Sequence, residues 1–158
     1  MTTIHVVADS ALPAARVLEA ARDFSDLRAE IWPAVSLEYM EVHELGDTSA
    51  DVTEGTKAGV GVNWERCRYD WSLPGSVIAT VTASNVYAVP GSSWQLRATP
   101  DGDGSRVEMI WTREFKPGAR GRVFGTLYRL VGKPMFGRYA RQTLANLLEL
   151  QHHGDSIG

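Results

Sequence analysis

The sequence predicts an α+β fold in which a curved, seven-stranded antiparallel sheet wraps around a long C-terminal helix. Apolar and polar residues alternate with a period of about two over residues 35–116, which is typical of strands. Over residues 119–151 the apolar spacing becomes helical. Seven strands span roughly 29 Å, whereas one helix with its side chains is about 10 to 12 Å across. The sheet must therefore curl around the helix.

Length and composition indicate a single domain over residues 1–158. The chain has 44% hydrophobic residues and a formal net charge of −3, which argues against a nucleic-acid partner. Cys67 is the only cysteine, and the N-terminus lacks a signal-peptide pattern, so we expect a cytoplasmic protein. Motifs for zinc sites, dinucleotide loops and triad hydrolases do not occur, so we expect no metal and no cofactor.

The N-terminal region predicts one strand and two short helices. The strand covers residues 4–8, and the helix that follows ends near Asp23. The second helix runs over residues 25–32, because Pro33 disfavours helical geometry in the residue before it.

Turn signals divide residues 35–116 into six strands. Two of them have a clear inward face, formed by Val77, Ala79, Val81 and Ala83 in one and by Val107, Met109, Trp111, Arg113 and Phe115 in the other. In residues 60–71 the apolar side chains change parity, which predicts a bulge and leaves the inward face open. The inward face of residues 35–45 also stays open, since Val35, Leu37, Tyr39 and His43 share one parity while Met40 and Val42 share the other.

The C-terminal helix predicts an inward apolar stripe and a joint. The stripe consists of Phe124, Leu127, Tyr128, Val131, Met135 and Tyr139. The sequence Gly132-Lys133-Pro134 combines two helix-breaking residues, so we expect separately oriented pieces over 119–131 and 135–151. The tail from about residue 152 is expected to be flexible.

The order of these elements resembles the Bet v 1-like or START-like helix-grip superfamily, which includes polyketide cyclase-related proteins. The local patterns that carry the resemblance are Ser93-Trp94 before the hairpin over residues 102–107, and the run over residues 141–147 in the last helix. The resemblance implies a helix-grip fold with an internal cavity. It leaves the function open, since the superfamily includes lipid carriers, hormone-binding proteins and aromatase/cyclases.

Small side chains on the sheet, such as Ala79 and Ala83, predict an apolar cavity for a small hydrophobic molecule. Arg113 either anchors an anionic end of that ligand, or extends to solvent at the strand end, or pairs with a protein acid. His43 is a candidate acid or base in catalysis, or else a structural or surface residue. The expected ligand-binding residues are Ala79, Ala83, Met109, Trp111, Arg113, Phe124, Tyr128, Met135 and Tyr139.

Three functions fit these features. The first is binding or carriage of a hydrophobic metabolite or lipid, and the second is a polyketide aromatase/cyclase that uses His43, Arg113 or a Tyr. Two facing polar groups that include a His, Asp or Glu would favour catalysis, whereas at most one polar group would favour carriage. The third is an interaction module, because residues 116–141 contain seven basic residues and no acid occurs until Glu149. That segment either contacts an anionic membrane or partner, or pairs with acidic strands.

Overall fold

The computed structural model describes residues 1–59, 61–89 and 91–157, and it confirms the curved seven-stranded antiparallel sheet and the long C-terminal helix. The strands are β1 (Thr2–Ser10), β2 (Glu41–Leu45), β3 (Ser49–Ala58), β4 (Gly61–Asp70), β5 (Ser76–Ser84), β6 (Ser93–Asp101) and β7 (Gly104–Arg113). The helices are α1 (Ala14–Ala21), α2 (Leu27–Ile31) and α3 (Ala119–Ile157), with a short 3-10 helix at Leu37–Tyr39.

The strands form one sheet in the order β1-β7-β6-β5-β4-β3-β2. Every neighbouring pair is antiparallel, so β1 and β2 are the two edges. α1 packs against β5, β6 and β7, and α3 packs against β1 and both short helices. The core between the sheet and the helices is apolar, and its most deeply buried side chains include Val52, Val77, Leu96, Val107 and Met109. Among the described helices, none is both long and apolar enough to cross a membrane.

The prediction of a joint in the C-terminal helix is wrong, because α3 is continuous from Ala119 to Ile157. Gly132 is buried, and a Cβ atom there would lie 2.5 Å from Cδ1 of Ile4. The glycine therefore allows the helix to approach β1 closely. Pro134 and Leu130 are exposed, so water can satisfy the Leu130 carbonyl that the proline leaves without an amide partner. The helix also extends beyond the predicted end at residue 151.

A bulge separates the two halves of β5. Cys67 pairs with Val81 and Arg66 pairs with Ala83, so Thr82 is an extra residue on β5. The irregularity predicted for residues 60–71 is present at this point, although the extra residue belongs to the neighbouring strand. Because a one-residue insertion reverses the side-chain parity, Ser84 rather than Ala83 is buried beyond it.

Two other expectations from the apolar pattern are wrong, namely a strand that begins at Val35 and an inward direction for Leu127 and Val131. The chain forms a 3-10 helix at Leu37–Tyr39, so the alternation predicted from Val35 does not continue into β2, whose residues are all exposed. In α3, Leu127 and Val131 are 48% and 47% exposed and face away from the sheet. Their apolar character reflects a second helix face, which sequence periodicity cannot distinguish from the first.

Candidate functional site

A cavity of about 330 Å³ lies between the sheet and α3. Its volume falls in the lower part of the range for small-molecule sites, about 300 to 1,000 Å³. The sheet contributes side chains from β3, β4, β5, β6 and β7, and the segment after α2 contributes Trp32 and Val35. Trp64 and Met135 line the cavity and are 38% and 48% exposed, so they mark its mouth.

Aromatic side chains form most of the apolar wall. Trp32 meets Trp94 edge to face with ring centroids 5.4 Å apart, and Trp111 lies 4.5 Å from the Phe136 ring. Tyr139 continues this surface, with its ring centroid 6.1 Å from that of Trp111. Such a wall suits a flat ring system or an acyl chain, because aromatic faces and edges provide large apolar contacts.

Two carboxylates lie side by side on the sheet wall of the cavity. Glu54 on β3 and Glu65 on β4 are direct partners in the antiparallel ladder, and both line the cavity. The Cβ atoms of such partners lie about 4.5 to 5.5 Å apart. Each carboxylate has its own arginine, since Glu54 pairs with Arg28 of α2 and Glu65 pairs with Arg113 of β7. We call these four residues the charge row.

The Arg28 end of the charge row is fully hydrogen bonded. Nε of Arg28 donates to Glu54, one terminal nitrogen donates to the Tyr69 hydroxyl at 3.0 Å, and the other donates to the carbonyls of Ala21 and Asp23. Tyr69 donates to the second Glu54 oxygen at 2.6 Å. Burial opposes the charge of Arg28, but the Glu54 carboxylate holds the pKa of this arginine above its ordinary value. The polar groups of this cluster bond to one another and to nearby carbonyls, which favours a structural role.

The Arg113 end of the charge row is looser. A terminal nitrogen of Arg113 lies 3.5 Å from Glu65 Oε1, and the other donates to the Ser93 carbonyl at 3.4 Å. The guanidinium also lies 4.5 Å from the centroid of the Tyr87 ring. Nε of Arg113 and Oε2 of Glu65 are buried without a hydrogen-bond partner among the described residues. Burial raises the pKa of Glu65 despite the opposing effect of Arg113, and the Glu54 charge raises it further.

A pair of tyrosines adds neutral polar groups beside Arg113. The hydroxyl oxygens of Tyr87 and Tyr128 lie 3.1 Å apart and share a hydrogen bond, which links the sheet side of the cavity to α3. Burial raises the pKa of Tyr87 well above its ordinary value, so its hydroxyl stays protonated at neutral pH. The cavity therefore combines apolar walls with one ion pair and two hydroxyls that retain hydrogen-bonding capacity.

Most of the predicted ligand-binding residues line this cavity. They are Ala79, Trp111, Arg113, Tyr128, Met135 and Tyr139. Of the alternatives for Arg113, the structure shows the pairing with a protein acid, and the side chain is buried rather than extended to solvent. The role of these residues in binding a ligand stays a prediction.

Three predicted ligand-binding residues do not line the cavity. Ala83 lies beyond the bulge at Thr82 and so loses the parity of Ala79. Met109 is 1% exposed and belongs to the packed core. Phe124 instead stacks on Phe115, with ring centroids 6.4 Å apart.

His43 also lies outside the cavity lining. It is on the edge strand β2, where it is exposed and its Nε2 lies 2.7 Å from the Thr53 hydroxyl. Glu41, the residue of the same parity on β2, is its nearest carboxylate at 3.7 Å. The structure therefore gives His43 no position from which to act on a molecule in the cavity.

Four polar residues of the cavity were not predicted from the sequence, namely Arg28, Glu54, Glu65 and Tyr87. Glu65 shares parity with the buried Cys67 and Tyr69, and Glu54 shares parity with Val52, so alternation contained a signal for both acids. The sequence contained no such signal for Arg28, because an arginine in a short helix is usually exposed. The described residues contain no cluster of three metal-ligating side chains.

The sequence matches a known protein family over most of the chain. Residues 1–150 match the family described as polyketide cyclase / dehydrase and lipid transport. No protein with a curated description matches the chain.

Solved structures share the fold at low sequence identity. TTHA0849 from Thermus thermophilus is 14% identical with a TM-score of 0.76, and the match covers 94% of this chain and 99% of that one. The Zhui aromatase/cyclase from Streptomyces sp. R1128 is 17% identical with a TM-score of 0.72, covering 94% and 92% of the two chains. A START superfamily protein from Mycobacterium smegmatis is 12% identical with a TM-score of 0.62, covering 99% of each chain. At these identities the likeness shows the fold alone.

Proposed function

Because the chain belongs to the polyketide cyclase / dehydrase and lipid transport family, we propose that it binds a small hydrophobic molecule with a polar end inside the cavity between the sheet and α3. The observation that carries this proposal is an aromatic-walled space of about 330 Å³ that contains a loosely bonded, buried ion pair. A cavity filled with water would leave those aromatic faces solvated, which is unfavourable. An apolar ligand removes that cost.

The polar end of the ligand is proposed to be neutral. Arg113 already has Glu65 at 3.5 Å, so a ligand carboxylate would add a second negative charge beside one guanidinium. A hydroxyl, enol or carbonyl group can instead donate to the Glu65 carboxylate or accept from Arg113 or a tyrosine hydroxyl without changing the charge balance. Oxygenated aromatic or lipid-like molecules have this chemistry.

A second candidate function is catalysis of the aromatase/cyclase kind. Glu54 and Glu65 are neighbouring acids on the sheet wall of the cavity. Their surroundings differ. Both oxygens of Glu54 already accept hydrogen bonds from protein groups, whereas burial raises the pKa of Glu65. A carboxylate of raised pKa can remove a proton next to a ligand carbonyl, and Arg113 can stabilise the enolate that forms.

The binding proposal is tested by native mass spectrometry of the purified protein, followed by extraction of any bound molecule. We expect a mass adduct that organic solvent releases. Ala79→Leu places three extra carbons in the cavity and should remove the adduct, while Ala83→Leu makes the same change outside the lining and should retain it. An adduct that survives in both variants would place the ligand elsewhere.

The catalytic proposal needs turnover as well as binding. We expect Glu65→Gln to abolish cyclisation of a poly-β-keto thioester while the variant still binds the neutral product. Equal turnover by both proteins would exclude Glu65 as the proton acceptor.

A further inference from the structure

The N-terminal half of α3 carries an exposed apolar stripe on the side away from the cavity. Val123, Leu127, Leu130 and Val131 are 59%, 48%, 73% and 47% exposed. Their spacing of i, i+4, i+7 and i+8 places them on one helix face. Tyr128, about a third of a turn around the helix from the middle of the stripe, lines the cavity. This part of α3 is therefore apolar on two sides, and the outer side has no partner in the described part of the chain.

Basic side chains border this stripe along one long side and at both ends. Arg122, Arg129 and Lys133 follow one long border at spacings of seven and four residues, and Arg120 and Arg138 lie at its two ends. All five are exposed, and none forms an ion pair with a described acidic residue. The described residues therefore do not support the alternative in which these charges pair with acidic strands.

We propose that the outer face of α3 docks the protein on an anionic lipid membrane. A helix lies in a membrane interface when its apolar face enters the region between headgroups and acyl chains and its cations meet lipid phosphates. The stripe and its basic border have that arrangement, and residues 115–148 contain no acid to oppose it. A second copy of the chain on the same stripe would bring the two basic borders together, which is unfavourable.

The docked orientation gives the cavity access to the bilayer. Met135 lines the cavity, is 48% exposed and lies four residues after Val131, the last apolar residue of the stripe. Docking therefore brings the mouth of the cavity close to the lipid surface. A hydrophobic ligand can then enter or leave without crossing bulk water. The docking itself does not depend on the identity of that ligand.

Flotation with phosphatidylcholine vesicles, prepared with and without phosphatidylglycerol, tests the charge requirement. We expect binding to the anionic vesicles at low salt, loss of that binding at high salt, and no binding to the neutral vesicles. Each cation near an anionic surface contributes about fivefold to partitioning, so Arg129→Gln with Lys133→Gln should weaken binding about 25-fold. Arg68→Gln with Arg97→Gln, which remove the same charge from exposed sheet positions, should have little effect.

The stripe is tested by a second pair of variants. Leu130→Glu introduces an acid at a position that is 73% exposed, and Leu45→Glu makes the same change on β2 at a position that is 63% exposed. We expect only Leu130→Glu to abolish flotation, with both variants retaining the thermal melting profile of the parent. Equal flotation with neutral vesicles, or equal losses in both variants, would overturn the proposal. A Leu130-dependent dimer without vesicle binding would overturn it in favour of self-association.

Discussion

Replacing Glu65 by Gln is expected to change the preference of the cavity between a carboxylic acid and its ester. In the parent protein, Glu65 compensates the charge of Arg113 from 3.5 Å. Decanoate would place a second carboxylate at the same guanidinium, whereas methyl decanoate would not. The Glu65→Gln variant leaves Arg113 without an anionic partner, so the ligand carboxylate becomes its counter-ion. The parent should therefore bind the acid no better than the ester, and the variant should prefer the acid.

The size of the effect follows from the repulsion that the substitution removes. Two carboxylates on either side of one guanidinium lie about 6 Å apart, and at an effective dielectric constant of about 20 they repel by about 2.8 kcal/mol. That energy corresponds to about a 100-fold change in affinity at room temperature. The affinity for the acid should increase by up to this factor relative to the ester. The increase is smaller where Glu65 is already partly protonated in the parent, because a neutral Glu65 does not repel the ligand carboxylate.

Quenching of tryptophan fluorescence measures both affinities, because Trp32, Trp94 and Trp111 line the cavity. Burial raises the pKa of Glu65, so lowering the pH toward that pKa protonates it and frees Arg113. Decanoate binding to the parent should therefore strengthen from mildly alkaline to mildly acidic pH, while the variant shows no such change. Ester binding, which reports an intact cavity, should stay constant in both proteins. Equal changes for acid and ester would refute the reasoning, as would a preference of the parent for the acid at alkaline pH.

Two further predictions concern stability and thiol reactivity. Arg28→Met removes the only cationic partner that the described residues give the largely buried Glu54 carboxylate, and it should lower the free energy of unfolding in urea by about 3 to 5 kcal/mol. Arg16→Met, which removes an exposed ion pair with Glu19, should cost less than about 1 kcal/mol, and similar losses would contradict the burial argument. Cys67 is 3% exposed, and burial raises the pKa of its thiol, so a maleimide should react with the protein only as fast as it unfolds. Rapid labelling of the native protein would show that the cavity opens widely.

The sequence could predict the sheet, the long helix and the inward direction of Arg113, because each follows from the local period of apolar residues. It could not predict the acid beside Arg113. The two residues lie 48 positions apart in the chain and meet only because β7 and β4 curve around the same cavity. The prediction that Ala83 faces inward is wrong for a related reason. The extra residue at Thr82 lies in β5, where apolar and polar side chains alternate without a visible break, and only the neighbouring strand carried a sign of an irregularity.

Helix α3 shows how tertiary packing overrides local preference. Gly132 and Pro134 predict a break when each is judged by its average cost inside a helix. In the folded protein, the glycine faces β1 and the proline faces solvent, so neither disrupts the helix. Likewise, the apolar residues of the outer stripe cannot be distinguished from core residues until the position of the sheet is known.

The contact between Gly132 and Ile4 fixes how far along its axis α3 can slide. Only a residue without a Cβ atom fits at that point, and Val131 and Lys133 on either side would meet the Ile4 side chain. The helix is therefore locked in one longitudinal position relative to β1. Tyr128 and Phe136, four residues before and after the glycine, reach the cavity because of that lock. The absence of a side chain at Gly132 thus determines which residues of α3 line the cavity.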